Sequence, residues 1–199
     1  MKQRLEQIRE RIRQAAESCN RDADSVRLVA VSKTIAADIV KDAIEAGVTI
    51  LGENYVQEAR DKFKALAQYP VSWHFIGHLQ SNKAKYAVRL FDLIHSVDSL
   101  KLARELDKQA GKLDKIQQIL VQVNISAEDT KSGISTDEAP RQIAEISQLK
   151  NLAVKGLMTM PPYFYQPEKV QPFFAALRNL RDQIREQSLP NVSLDELSM

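Results

Sequence analysis

The sequence predicts an α/β protein built as a (β/α)8 barrel, a parallel sheet covered by helices. Three observations carry that prediction. Short apolar runs rich in β-branched residues alternate with amphipathic stretches of helical period along the whole chain. No Gly-rich phosphate loop follows the first strand, so a dinucleotide-binding open sheet has no support. The strands recur evenly, with no break that marks a reversal of winding, no linker and no low-complexity tract. One domain spanning 1–199 is therefore expected.

Each element has its own signal. Residues 2–18 form an amphipathic helix with Leu5, Ile8, Ile12 and Ala15 or Ala16 on its apolar stripe. Its basic residues mix with Glu6, Glu10 and Glu17, which describes a solvated face and not a polybasic anchor. The run 28–31 reads as the first buried strand. A helix over 36–46 ends at Gly47, and a short strand over 48–51 follows. Further strands are expected at 71–76, 92–97, within 116–125, at 154–158 and at 192–197. The intervening helices fall at 55–66, 82–89, 99–110, 136–148 and 167–187.

Composition narrows the function classes. The chain has 199 residues and a net charge of +2, too small to indicate nucleic acid or an anionic membrane as partner. No apolar run reaches membrane-spanning length, and residues 1–19 lack the apolar centre of a signal peptide. A cytoplasmic protein is expected. The single cysteine, Cys19, cannot form an internal disulfide; its place on the apolar side of the first helix predicts a structural thiol.

In a barrel the chemistry collects at the C-terminal ends of the strands. Those ends read Ser32-Lys33, Gly52-Glu53-Asn54, Gly77-His78, Ser96-Val97-Asp98, Asn124, Met158-Thr159-Met160 and Ser198. Taken alone, Lys33 is an ordinary strand-end lysine. Held there and partly desolvated, it becomes an amine able to attack a carbonyl. His74 and His78 have the i, i+4 spacing of a helical metal pair, but their segment reads as a strand and no carboxylate completes a triad, so no metal is expected. No Gly-x-Ser-x-Gly elbow supports a Ser-His-Asp nucleophile. Lys131-Ser132-Gly133 reads as a plain loop ending in Gly ahead of a phosphate-binding turn. Pro161-Pro162-Tyr163 stiffens a loop, and Phe164, Tyr165, Phe173 and Phe174 read as packing for the next helix.

Several runs together resemble one family. They are Leu-Val-Ala-Val-Ser-Lys at 28–33, Leu-Gly-Glu-Asn-Tyr-Val-Gln-Glu at 51–58, Trp-His-Phe-Ile-Gly-His-Leu-Gln-Ser-Asn-Lys at 73–83, Val-Asn-Ile-Ser at 123–126, Lys-Ser-Gly-Ile at 131–134, Lys-Gly-Leu-Met-Thr-Met at 155–160 and Leu-Ser-Met at 197–199. This pattern resembles the pyridoxal phosphate homeostasis proteins, single-domain relatives of the N-terminal barrel of alanine racemase. The resemblance implies a carrier or regulator of the intracellular vitamin B6 pool that holds pyridoxal 5′-phosphate (PLP) as a Schiff base on Lys33. It implies that Asn54, His78 and Met158 lie around that cofactor and that Ser198 contributes to the phosphate site. PLP-dependent apoenzymes are the implied partners, and a monomer is expected. In the family, Leu-Ser-Met continues into a further helix and an eighth strand, so the barrel is expected to lack its last helix and strand. The alternative is a PLP-dependent amino-acid racemase. Racemisation needs an acid/base group on each face of the substrate α-carbon. Only Lys33 is in view and no second domain follows, so the carrier is the expected function and no catalytic residue is assigned.

Overall fold

The computed structural model describes residues 1–126, 128 and 132–199. The chain falls into two compact units, Met1–His74 and Phe75–Met199. In the first, helix α1 (Lys2–Glu17) precedes β1 (Ala30–Val31), α2 (Ala37–Glu45), β2 (Ile50–Glu53), α3 (Val56–Ala65) and β3 (Ser72–Phe75), the strand on which this unit ends. The strand order is β1-β2-β3, and β1 and β2 are parallel with Ala30 opposite Leu51 and Val31 opposite Gly52.

Both of the first two strands begin two residues later than the apolar runs suggest. For β2 the reason is the end of α2. Gly47 adopts φ 110, its N–H donates to the Ile44 carbonyl at 2.8 Å, and Val48 N–H donates to the Ala43 carbonyl at 3.0 Å. These two bonds close the helix through a left-handed glycine and use the amide of Val48 in doing so. The Gly47 carbonyl in turn accepts from Arg9 Nη2 of α1 at 2.6 Å. Cys19 differs from expectation. It lies in the turn beyond α1 and is exposed, with its thiol donating to the Ala15 carbonyl at 3.2 Å. The helix stops one residue short of Ser18, so the apolar stripe never reaches the cysteine.

The second unit holds α4 (Ala84–Leu90), β4 (Leu93–Val97), α5 (Leu100–Gly111), β5 (Gln117–Asn124), β6 (Ile134–Ser135), α6 (Ala139–Ile146), β7 (Leu152–Met158), α7 (Gln171–Arg185) and β8 (Val192–Ser198). Its strands run parallel in the order β4-β5-β7-β8, with β6 paired to β5 off that path. Ser99 caps α5 by accepting from Leu102 N–H at 3.3 Å. Ile119, Leu120, Val121 and Val123 of β5 are all buried, on both faces, as a covered parallel sheet requires.

β6 is the element the sequence pattern does not predict. Gly133 immediately before it has φ 132, and a Cβ there would stand 2.6 Å from the Asn124 nitrogen. Only glycine lets the chain lie this close to the end of β5. The loop expected at 131–133 thus ends by feeding a two-residue strand; Lys131 lies outside the described residues.

The β7–β8 seam shows the same device. A Cβ on Gly156 would come within 1.8 Å of the Glu196 carbonyl oxygen. The register shifts between Val154 and Gly156, and buried Leu194 of β8 takes φ 53. The bulge lets Leu194 point into the core while the strand end returns to register, with Met158 opposite Ser198.

Candidate functional site

The predicted site residues divide between the two units. In the first, Lys33 follows β1 directly, and Ser32 N–H still donates to the Gly52 carbonyl at 2.9 Å. The Lys33 side chain is exposed, not partly desolvated as the strand-end argument expects. The strand has already ended, so the lysine leaves the sheet into open space. Asn54 stands just past β2. It is half-buried, and its Oδ1 is shielded from solvent with no hydrogen-bond partner among the described residues.

The buried lysine of this unit is Lys62. Its side chain is 6% exposed, and its Nζ donates to Glu53 Oε1 at 2.8 Å, to Glu58 Oε1 at 2.6 Å and to the Ser32 carbonyl. Glu53 is wholly buried; its Oε1 also accepts from Ser32 Oγ at 2.6 Å, and its Oε2 has no hydrogen-bond partner among the described residues. Glu58 Oε1 accepts as well from Thr34 N–H at 2.5 Å. Glu58 and Lys62 are one helical turn apart, so α3 presents both on one face. Sequence reasoning missed this cluster because such a pair looks like any surface ion pair. The available signal was phase: the buried residues of α3 are Val56, Ala59 and Lys62, which places the lysine on the core stripe.

In the second unit His78 lies just past β3, as its strand-end reading expects, and its side chain is 62% exposed. Its Nδ1 is 3.4 Å from Asp98 Oδ2. Beside it is a cavity of about 390 Å³ with Gln80, Asn82, Asp98 and Lys101 in its wall. Met158 is buried in a cluster with Leu93 and Leu120. Ser198, opposite Met158 in register, accepts at its carbonyl from Thr159 N–H at 3.0 Å. Its hydroxyl lies 2.8 Å from Nδ1 of His95. His95, buried in the middle of β4, is a second residue the sequence did not single out. An imidazole inside an apolar strand needs polar partners, and that requirement was the only signal.

Among the described residues, no group of three or more His, Cys, Asp or Glu is arranged to hold a metal ion. No helix among them is long and apolar enough to cross a membrane.

The sequence profile of the family described as alanine racemase, N-terminal domain, matches residues 3–196. A pyridoxal phosphate homeostasis protein of Aquifex aeolicus is 40% identical over 197 residues, covering 99% of this chain and 86% of that protein. PipY of Synechococcus elongatus PCC7942, solved with PLP bound, is 35% identical with a TM-score of 0.81, over 94% of this chain and 87% of that one. Alanine racemase of Clostridium difficile 630 is 14% identical with a TM-score of 0.73, over 87% of this chain and 45% of that one, a likeness of fold. The fold class is that of the alanine racemase N-terminal domain, as the family resemblance implies, and its parallel strands are those the βα alternation predicts. Identity of this degree over almost the whole length, on the same fold, makes the chain a member of the pyridoxal phosphate homeostasis protein family.

Proposed function

We propose that this protein binds PLP reversibly, as a Schiff base on Lys33, and serves intracellular vitamin B6 homeostasis as a carrier without turning over a substrate. The observation that carries the reading is Lys33 itself: an exposed primary amine at the C-terminal end of β1, between two residues whose backbone is pinned from α3. PLP, when bound, supplies an aldehyde with which a lysine amine condenses with loss of water. Lys33 offers that amine without breaking any ion pair of the buried cluster, since Lys62 takes all of those bonds.

The remaining donors suit the same group. The shielded, unpartnered Oδ1 of Asn54 is an acceptor awaiting a donor. The Ser198 hydroxyl, at the end of β8, suits a phosphate oxygen, and His95 holds it from behind. We assign His78 and Met158 as further neighbours of the cofactor, the first polar and accessible, the second an apolar wall. PLP bound to PipY supports the assignment of the cofactor. A carrier role predicts that PLP passes to PLP-dependent apoenzymes in the cytoplasm and that the carrier works as a monomer. Racemisation needs a second acid/base group opposite Lys33. Of the other assigned residues, Met158 carries no titratable proton and Asn54 and Ser198 are poor bases at neutral pH, which leaves the exposed imidazole of His78 as the one side chain of suitable chemistry, and chiral analysis decides between the two readings.

The test is borohydride reduction of the PLP-loaded protein followed by peptide mass spectrometry. The label is expected on Lys33 and lost in Lys33→Ala. A label that persists on another lysine, such as Lys83 or Lys131, overturns the assignment. Chiral analysis of alanine after long incubation is expected to match the Lys33→Ala control, whereas a clear Lys33-dependent rate establishes a racemase.

A further inference from the structure

We infer that Lys62 is a positioning residue for Lys33: its buried ammonium locks the strand-end backbone on which the PLP-binding amine is carried. The inference rests on the Lys33 reading above and adds a residue outside the family-derived set.

Lys33 stands on a weak support. β1 is only two residues long. Besides two backbone bonds, Ser32 N–H to the Gly52 carbonyl at 2.9 Å and Ile35 N–H to the Ser32 carbonyl at 3.1 Å, the three residues that follow are held by a set of side-chain bonds from β2 and α3. Lys62 Nζ donates to the Ser32 carbonyl, Ser32 Oγ donates to Glu53 Oε1 at 2.6 Å, and Thr34 N–H donates to Glu58 Oε1 at 2.5 Å. The residues on either side of Lys33 are therefore fixed, while its own side chain remains free in solvent.

The chemistry of the junction requires a lysine. An ammonium carries three donors in a compact tripod. Each has one acceptor here: the Ser32 carbonyl, Glu53 Oε1 and Glu58 Oε1. A planar guanidinium presents a fork of different reach and shape and does not replace it. Buried ion pairs contribute little net stability compared with apolar residues of similar size, so stability alone is a poor account of this cluster. Fixing one conformation is a role such clusters do serve.

The backbone shows what is being fixed. Thr34 has φ 62, a left-handed conformation that a β-branched residue adopts only under constraint. Its amide is the one bonded to Glu58, which Lys62 holds in place. Released, Thr34 relaxes to an extended or right-handed backbone, and the direction in which the chain presents Lys33 changes with it.

The experiment compares wild-type full-length protein with Lys62→Met, using PLP and 4′-deoxypyridoxine 5′-phosphate, an analogue without the aldehyde. Thermal unfolding and circular dichroism establish that the variant is folded. The wild type is expected to give the borohydride adduct on Lys33. Lys62→Met is expected to form that adduct, and to bind PLP, roughly 10–100-fold less well, the range that misplacing a reacting group produces. Its affinity for the analogue is expected to be unchanged, because that ligand does not need the amine. Wild-type behaviour of folded Lys62→Met with PLP overturns the inference, and so does an equal loss for both ligands, which marks general damage. If Lys62→Met does not fold, Glu58→Ala decides: its side chain is 27% exposed and it frees both Thr34 and one bond of Lys62. The same selective loss supports the inference and its absence overturns it. A wild-type adduct on a lysine other than Lys33 is a separate outcome that removes the parent reading and this inference with it.

Discussion

Replacing Gly156 by alanine places a methyl group where the structure has a neighbouring backbone. The added Cβ lies 1.8 Å from the Glu196 carbonyl oxygen, 2.6 Å from its carbon and 2.9 Å from its Cα. Favourable carbon contacts begin near ~3.5 Å, so β8 must retreat from β7 by roughly 1.5 Å. A side chain could swing away, but a strand backbone cannot do so without opening its ladder. The pairs at stake are Gly156 with Glu196, Leu157 with Leu197 and Met158 with Ser198. Overpacking costs about 1–3 kcal/mol, and each ladder bond stretched or lost adds roughly 0.5–1.5 kcal/mol. A total destabilisation of about 3–5 kcal/mol is expected. The assay is urea unfolding, read as a fall in the midpoint at unchanged slope. Gly111→Ala is the control: its Cβ meets only the Asn151 side chain, at 2.9 Å from Nδ2, and a side-chain amide can shift. The control is expected to stay within about 1 kcal/mol of the parent. A folded Gly156→Ala protein that loses less than the control refutes the reasoning.

At the end of the same strand, Ser198→Ala is expected to weaken PLP binding by about 1.5–3 kcal/mol, the worth of a hydrogen bond to a charged group, and to leave pyridoxal, which has no phosphate, unaffected. His95→Leu is expected to show the same phosphate-selective loss, because Nδ1 orients the serine hydroxyl at 2.8 Å; equal losses for both ligands argue against a phosphate role. Lys115 donates to the Val88 and Phe91 carbonyls at 2.8 and 3.0 Å, closing the end of α4, and burial lowers its pKa against the opposing pull of Asp92. Between that lowered value and the ordinary lysine value near ~10.4 the unfolded chain binds the extra proton, so this group makes stability rise with pH in that alkaline window. Lys115→Met is expected to lose that rise, and identical alkaline slopes in the two proteins count against it.

Among the described residues, the spacing of apolar runs was enough to place seven of the eight strands and every α-helix, because burial on both faces leaves a mainly apolar run such as Ile119-Leu120-Val121. β6 escaped because two residues carry no period, and its cause is the close approach of Gly133 to the backbone at the end of β5, which only the folded chain shows. The late start of β2 escaped because helix closure at Gly47 and strand pairing compete for the Val48 amide, and only the folded chain shows which wins. Lys33, Asn54, His78, Met158 and Ser198 were legible as strand-end residues. The condition of Lys33 was not: the sequence argument put the desolvated lysine at the strand end, while the structure puts it on α3 at Lys62. Which of two lysines is buried depends on helix phase against a particular strand, a tertiary fact.

The brevity of β1 has a consequence for kinetics. Two paired residues leave few ladder bonds to break, so the amides of Ala30 and Val31 are set to exchange with solvent through local opening, without unfolding of the unit. β5 lies at the opposite extreme, paired on both sides and buried, and its amides are set to exchange only when its own unit opens as a whole. A ligand tethered beside β1 is thus attached to one of the less protected segments of its unit. Brief opening there is a route to release that costs far less than denaturation, which is what the proposed carrier role requires.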